Sequence, residues 1–159
     1  MLHSVMRILW CAALCLSLGG WTARAADPEE KAVLAAIQNL FDGMAAHDAV
    51  KIKSAMTPEA RLVAARDTKP AAIVTRDEFA QSIASNPGSL RERIWEPKIM
   101  IHGPIAMLWA PYDFHLNGKF HHCGIDSFLM LKTEEGWKAS ALSYTSETEH
   151  CTPSPLGPL

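Results

Sequence analysis

The stretch FHLNGKFHHCGID, residues 114–126, concentrates the side chains of this chain that could do chemistry. It contains three histidines, one cysteine and one aspartate, and Asp113 directly precedes it. Histidine and aspartate can act together as a general acid and base near neutral pH, and the same residue types bind metal ions. The stretch is therefore a metal site, an acid–base pocket, or an ordinary hairpin that carries polar residues.

The dipeptide Asn117-Gly118 favours the third description as a starting point, because it predicts a two-residue type I′ hairpin turn. Counting outward from this turn places Asp113 opposite His122 on the paired strands. Successive side chains of a strand point to opposite faces, so His121 and His122 cannot both bind one ion through their rings. The apparent three-histidine cluster is divided between two faces.

A second hairpin, with Glu134–Gly136 as a three-residue loop, extends this register. It places Asp126 opposite Tyr144, Phe128 opposite Leu142, and Met130 opposite Ser140. One predicted face then carries Met107, Trp109, Asp113, His115, His122, Asp126, Phe128, Met130, Leu142 and Tyr144. This face is apolar at one end and polar at the other, which is typical of a small-molecule pocket. A register slip of one residue would invert the assignment.

An acid–base role is one hypothesis for this face. Asp113 would orient His122 as a general base, and Asp126 would have its pKa raised by apolar surroundings. Tyr144 would donate to a developing oxyanion. Enolisation, cyclisation or dehydration of a small carbonyl compound fits such a set. The structural alternative is that Asp126 and Tyr144 bond each other and that Asp113 and His122 form an exposed pair.

Binding of a small, largely apolar ligand is the preferred hypothesis, because it needs no catalytic dyad. The predicted contacts are Met107, Trp109, Phe128, Met130 and Leu142 from the sheet, Phe41 and Met44 from the first helix, and His115 at the rim.

A metal site built from His115, His122 and Asp113 is the third hypothesis. Strand ends beside a turn are mobile, and no residue is evident that would orient these ligands. We expect neither a metal nor a cofactor.

The elements that position these residues follow from periodicity and capping. Asp27-Pro28-Glu29-Glu30 predicts a helix start, and Val33, Ile37, Leu40, Phe41 and Met44 lie on one face at helical spacing. The other predicted elements are short helices at 49–56 and from the capping box Thr75-Arg76-Asp77-Glu78, and strands at 60–66, 71–74, 91–102, 105–115, 119–132 and 137–146. Helices followed by antiparallel strands indicate an α+β domain.

The first 25 residues predict a signal peptide, with a basic start, an apolar run of about a dozen residues and an Ala23-Arg24-Ala25 cleavage site. An uncleaved anchor is the alternative. Cleavage lowers Lys and Arg from 15 to 13 and leaves Asp and Glu at 17, a formal charge of −4. No basic patch favours nucleic acid or a membrane surface. We expect an exported protein, periplasmic or secreted, with a domain at 26–148 and a proline-rich tail at 149–159.

Two cysteines, Cys123 and Cys151, remain after cleavage. In an exported protein an even pair predicts a disulfide, and two separate thiols are the alternative. A bridge over this span contributes on the order of 3 kcal/mol in the loop-closure model.

The strand region resembles a known superfamily. The pieces that carry the resemblance are Trp109-Ala-Pro-Tyr112-Asp-Phe114, Gly118-Lys-Phe120, His122-Cys-Gly124, Asp126, Phe128, Gly136-Trp137 and Tyr144-Thr145. They are similar to exported members of the nuclear transport factor two-like superfamily, in its SnoaL-like and putative lumazine-binding group. The resemblance implies a cone-shaped α+β fold in which a curved antiparallel sheet wraps a long N-terminal helix and leaves an internal pocket. It also implies a homodimer through the outer sheet face. The superfamily holds both enzymes and binding modules, so fold alone does not decide function.

Overall fold

The computed structural model describes residues 27–159, so the predicted signal peptide lies outside the described residues. Within 27–159 three helices and seven strands follow one another: α1 (Pro28–Ala45), α2 (Ala49–Ser54), β1 (Met56–Arg66), β2 (Lys69–Thr75), α3 (Arg76–Ala84), β3 (Leu90–Ile94), β4 (Lys98–His102), β5 (Ile105–Leu116), β6 (Lys119–Thr133) and β7 (Gly136–Thr145). The predicted α+β class is confirmed.

The helix starts are fixed by the predicted capping residues. The Asp27 carboxylate accepts a hydrogen bond of 2.9 Å from the backbone N–H of Glu29, and Pro28 occupies the first helical position. Thr75 and Glu78 form the predicted capping box at the start of α3. Each cap satisfies backbone N–H groups that have no partner inside the helix, and contributes about 1 kcal/mol.

The strands form one curved sheet in the order β2-β1-β7-β6-β5-β3, with β4 also paired to β5. The sheet is mixed, because β1 runs parallel to β7 while the other pairs are antiparallel. The prediction of a wholly antiparallel sheet is wrong at this one pair. Turn chemistry sets strand direction only across short loops, and no short loop joins β1 to β7.

The β5–β6 hairpin begins as predicted and then shifts register. Leu116 faces Lys119 and His115 faces Phe120, but Phe114 faces His122. His121 is therefore an extra residue, a β-bulge, on β6. Beyond the bulge every predicted pair across this hairpin is wrong by one residue.

The bulge exchanges the faces of β5 relative to β6. The predicted parity holds for β6, whose buried Phe128 and Met130 point inward. It fails for β5, where Leu108 is fully buried while Met107 and Trp109 are 42% and 51% exposed. The concave face of β5 therefore carries Ala106, Leu108, Ala110, Tyr112 and Phe114.

The β6–β7 hairpin has the predicted pairing near Asp126, although its loop and its register beside the loop differ from the prediction. Its loop has two residues, because Thr133 faces Gly136, and Met130 faces Ala139 instead of Ser140. Ser140 is then an extra residue on β7, and the two one-residue differences cancel. The predicted pairs of Asp126 with Tyr144 and of Phe128 with Leu142 are confirmed.

The concave face packs against α1. The predicted apolar face of α1 is confirmed, since Val33, Ile37, Leu40, Phe41 and Met44 are all buried. The rings of Phe41 and Phe128 meet edge to face with centroids 6.2 Å apart. Burial of each large apolar side chain contributes about 1.5–3 kcal/mol. No helix within 27–159 is long and apolar enough to cross a membrane.

A disulfide joins Cys123 to Cys151, which confirms the predicted bridge. Cys123 lies on the convex side of β6, and its backbone exchanges two hydrogen bonds of 2.9 Å with Glu147. Residues 148–159 contain neither helix nor strand. The bridge therefore holds an irregular tail against the sheet.

Gly124 lets the end of β7 approach β6 closely. A Cβ atom at this position would lie 2.4 Å from the carbonyl oxygen of Thr145. The same oxygen accepts a hydrogen bond of 2.6 Å from the Tyr112 hydroxyl, and the Thr145 hydroxyl accepts one of 3.0 Å from the Ile125 N–H. A side chain at 124 would displace this junction.

We predict that Gly124→Ala lowers the free energy of unfolding by about 1–3 kcal/mol, because it overpacks the junction. Urea denaturation with the disulfide intact measures the change. Ser127→Ala, on the opposite face of the same strand, is the control and should change stability by less than about 0.5 kcal/mol. Equal stability of Gly124→Ala and the native protein would contradict the packing argument.

Candidate functional site

A cavity of about 120 Å³ lies on the concave face, between the sheet and helices α1 and α3. Its lining residues are mainly apolar or aromatic, with two carboxyl groups and one histidine among them: Met44, Phe79, Ile83, Glu92, Tyr112, Phe114, His122, Asp126, Leu142 and Tyr144. Greasy walls with few polar groups are typical of small-molecule sites.

Asp126 is the most buried polar residue of this cavity, with 1% of its surface exposed. β6 directs it inward, opposite Tyr144 on β7. Within the part of the chain that the structure describes, no N–H or hydroxyl group donates to its Oδ2 atom. The carboxyl group of Glu92 lies beside it, close enough for a hydrogen bond when one of the two groups is protonated.

Glu92 comes from β3 and was missed by the sequence analysis. β3 pairs antiparallel with β5, and Glu92 lies opposite Phe114 on the inward side. The signal was present in the alternation Leu90-Glu92-Ile94, where an acidic residue stands at an inward position between two apolar ones. A charged side chain at a core-facing strand position is uncommon and marks a candidate site.

Burial is the main cause of the unusual titration of this pair. It raises the pKa of Asp126 well above its ordinary value, and the nearby Glu92 charge and the shared hydrogen bond raise it further. Burial also raises the pKa of Glu92, to about 7, although the hydrogen bond from Asp126 opposes this. The two carboxyl groups therefore titrate together, and the pair loses its first proton near neutral pH.

His122 lines the cavity as predicted but does not face Asp113. Its ring lies between those of Phe114 and Tyr112, with centroids 4.9 and 5.6 Å away. Its Nδ1 is 2.8 Å from Nδ1 of His121. Burial first, and then the charges of His121 and Arg66, lower the pKa of His122 to about 4, so the ring is neutral at physiological pH.

Two tyrosines close the polar end of the cavity. Tyr144 is the predicted one, and burial raises its pKa. Tyr112 was not predicted, because the assumed register placed it on the outer face. It is 1% exposed, and its hydroxyl donates to the carbonyl of Thr145, away from the two carboxyl groups.

Four predicted pocket residues on β5 lie on the opposite side of the sheet. Met107, Trp109, Asp113 and His115 occupy the convex face, because the His121 bulge shifts the register by one. The predicted Asp113–His122 dyad is wrong, since Asp113 faces Cys123. Alternation places His115 and His122 on opposite faces as well, which excludes the predicted grouping of both with Asp113.

Asp113 serves an ion pair on that convex face. It accepts two hydrogen bonds from the Arg93 guanidinium, at 2.9 and 2.6 Å, and its Oδ2 is 3.4 Å from Nε2 of His115. Burial tends to raise the pKa of Asp113, but the Arg93 hydrogen bonds and charge, assisted by His115, hold it below its ordinary value. Asp113 is thus the opposite of Asp126: a carboxylate that the protein keeps ionised.

The remaining predicted contacts divide between the cavity and the core. Met44 and Leu142 line the cavity, whereas Phe41, Phe128 and Met130 are buried in the hydrophobic core that supports its wall. Among residues 27–159 no three His, Cys, Asp or Glu side chains are grouped so as to hold a metal ion.

Comparison with solved structures identifies the fold. The structure is similar to a nuclear transport factor two-like protein of unknown function from Shewanella baltica, with 20% identity, a TM-score of 0.57, and coverage of 79% of this chain and 95% of that one. It is similar to a protein described as a putative dehydratase of the same superfamily from Streptomyces avermitilis, with 15% identity, a TM-score of 0.60, and coverage of 73% and 94%.

A third similar structure is a nuclear transport factor two-like protein from Cytophaga hutchinsonii, with 12% identity, a TM-score of 0.64, and coverage of 74% of this chain and 97% of that one. These likenesses establish the superfamily fold. No curated protein matches the chain. Residues 28–145 match the family described as putative lumazine-binding, and the chain belongs to that family.

The opposite titration of Glu92 and Asp113 gives a testable pH dependence. Unfolded Glu92 ionises near pH 4.5, while the folded group holds its proton to about pH 7, so native stability falls as pH rises between these values. We predict that Glu92→Gln gains at least about 1 kcal/mol relative to the native protein between pH 4.5 and 8.

Asp113→Asn is the matched control, because its dependence has the other sign. The Asp113 pKa is lowered, so its contribution is complete above its unfolded value of 3.8 and is lost as pH falls below it. The variant should lose about 3 kcal/mol at pH 7 and progressively less in acid. Urea denaturation from about pH 2 to pH 8 measures both variants. A Glu92→Gln difference that does not change with pH would contradict the coupled carboxyl pair.

Proposed function

We propose that this protein binds one small, largely apolar organic molecule, of about the size of a single ring, in the concave cavity. One observation carries the proposal: a mainly apolar cavity has a carboxyl pair in its wall, formed by buried Asp126 and half-buried Glu92. A folded protein has no structural need for such a pair, because burying carboxyl groups away from N–H donors costs free energy.

The size of the cavity supports a one-ring ligand. An apolar cavity of about 150 Å³ in a protein interior is enough to bind benzene. At about 120 Å³ this cavity has room for a molecule of similar or slightly smaller size. The description of the matching family also supports binding of a small molecule.

The proposed contacts combine predicted and newly found residues. Met44, Leu142, His122, Asp126 and Tyr144 remain from the sequence analysis. Helix α3 adds Phe79 and Ile83, and the strands add Glu92, Tyr112 and Phe114. Neutral His122, whose ring is tilted by 32° against that of Phe114, adds an aromatic surface for a ligand ring.

A second candidate is catalysis on a small carbonyl compound by isomerisation, cyclisation or dehydration. The observation in its favour is that the pKa of Glu92, at about 7, suits a general base at neutral pH, and Tyr144 lines the same cavity as a hydroxyl donor. The similar Streptomyces avermitilis structure is described as a putative dehydratase, which is in keeping with this candidate.

Filling the cavity tests the binding proposal, with toluene as the probe. We predict that Leu142→Trp lowers toluene affinity at least tenfold, because the larger ring occupies the ligand space. Chemical-shift titration by NMR measures binding and also reports folding. Ile83→Trp fills the same cavity from α3 and replaces the first variant if that one does not fold.

Leu129→Trp is the control, because Leu129 is 42% exposed on the convex face. It should bind toluene as the native protein does. The proposal fails if the native protein shows no saturable toluene binding or if the filled variants bind equally well. Cyclopentanone in deuterated water separates the two candidates: a catalyst exchanges its α-hydrogens at a rate that depends on Glu92, and a binding protein does not.

A homodimer through the convex face is the proposed assembly. Six apolar side chains from β4, β5 and β6 are exposed there, and neighbouring strands carry them: Met100, Ile105, Met107, Trp109, Leu129 and Leu131. Exposed contiguous apolar surface of this kind marks an interface. A second copy of the chain, related by a two-fold axis, would cover this apolar patch with the same patch of its own.

We predict that Trp109→Lys converts a native dimer to a monomer, because it places a charge in the centre of the apolar interface. Native mass spectrometry gives the two masses. Ile73→Lys, at a 65% exposed position on β2, is the control and should stay dimeric. A native protein of monomer mass at micromolar concentration would contradict the proposal.

Export is the proposed localisation. The Cys123–Cys151 disulfide supports it, because such bridges form and persist in oxidising compartments. The proposed signal peptide at 1–25 and the domain division at 148 complete this assignment.

A further inference from the structure

We propose that the Glu92–Asp126 pair is a hydrogen-bond acceptor site, and that the ligand of this cavity presents to it an N–H or O–H donor. The ligand class is thus a one-ring molecule with a neutral donor at one edge, such as an azole N–H or a ring hydroxyl. This inference rests on the proposed binding function and names the chemistry that the cavity selects.

The count of donors and acceptors at the pair carries the inference. Two carboxyl groups have four oxygen atoms and hold at most two protons, so acceptor sites outnumber donors at the pair. Of residues 27–159, none gives a backbone or side-chain N–H to either carboxyl group, and none gives a hydroxyl. The pair therefore has more acceptor capacity than the described residues satisfy, and its Asp126 Oδ2 atom is buried without a donor.

Asp113 shows what this protein does when it buries a carboxylate for structure. That residue, on the other face of the sheet, receives two N–H groups from Arg93. Asp126 is more deeply buried than Asp113 and receives none. An unsatisfied buried acceptor costs folding free energy, and a ligand that supplies the missing donor recovers that free energy on binding.

The polar groups nearest the pair are turned away from it. The Tyr112 hydroxyl donates to the Thr145 carbonyl, and His122 directs Nδ1 to His121. Tyr144 lies opposite Asp126 and senses the charge of both carboxyl groups, but it forms no hydrogen bond with either in the described chain. The carboxyl oxygens of Glu92 and Asp126 therefore remain available to accept hydrogen bonds from a ligand.

A donor fits this pair better than an acceptor does. When the pair holds one proton, a ligand with only a carbonyl or ether oxygen must compete with the second carboxyl group for that proton, so it gains one hydrogen bond and breaks another. A ligand N–H or O–H adds a hydrogen bond and breaks none. The apolar walls formed by Ile83, Phe114 and Leu142 favour a neutral donor over a cation, because a cation would lose its hydration.

Three small probes of similar size test the inference by NMR titration: pyrrole, which has a ring N–H; N-methylpyrrole, in which the donor is blocked; and furan, which has only an acceptor. We expect the native protein to bind pyrrole about tenfold more tightly than either of the others. Asp126→Leu should reduce this preference to less than about twofold while N-methylpyrrole still binds. Comparing affinity ratios between protein variants cancels the different transfer free energies of the probes.

Glu92→Met removes the second carboxyl group with little change in shape, and serves in place of Asp126→Leu if the latter does not fold. Glu134→Gln, in the exposed β6–β7 loop, is the control and should keep the full pyrrole preference. Equal binding of the three probes to the native protein overturns the inference but leaves the binding proposal standing. A pyrrole preference that survives loss of either carboxyl group, or tighter binding of furan, overturns it as well. Saturable binding of none of the three probes contradicts the proposed function itself.

Discussion

The β-bulge at His121 decides which side chains share the cavity. One extra residue on β6 brings Asp126 and His122 onto the same face as Tyr112 and Phe114, and sends Trp109 to the outside. Without it, the inward polar residues of β6 would meet the large apolar residues of β5 that now cover the convex face. The bulge thereby separates a concave face that lines the cavity from a convex face that exposes apolar side chains.

The two faces treat buried carboxyl groups in opposite ways. On the convex side Arg93 holds Asp113 ionised with a two-point hydrogen bond, which fixes β3 to β5. On the concave side burial keeps Asp126 protonated, with only Glu92 as its partner. The first arrangement contributes to the fold, and the second stores an unmet hydrogen-bonding capacity, the usual signature of a recognition site.

Local sequence patterns were enough to predict the helix caps, the apolar face of α1, the Asn117-Gly118 turn and the pairing of Asp126 with Tyr144. The pair was reached because a shorter loop at Gly136 and an extra residue at Ser140 cancel. The β5 face was wrong, because a bulge depends on packing across the sheet and leaves no turn residue to mark it. Glu92 was missed because strands 90–94 and 98–102 were treated as one, which hid the inward alternation of the first.

The two carboxyl groups differ in how firmly the fold holds them. Asp126 belongs to β6, which is hydrogen-bonded on both sides, whereas Glu92 belongs to β3, which ends the strand order and pairs only with β5. Terminal strands open locally at a lower free energy than interior ones. The cavity wall at Asp126 is thus held more firmly than the wall at Glu92, although each supplies one of the two carboxyl groups. If the cavity binds a ligand as proposed, the sheet edge at β3 can adjust to it without disturbing the core beneath α1.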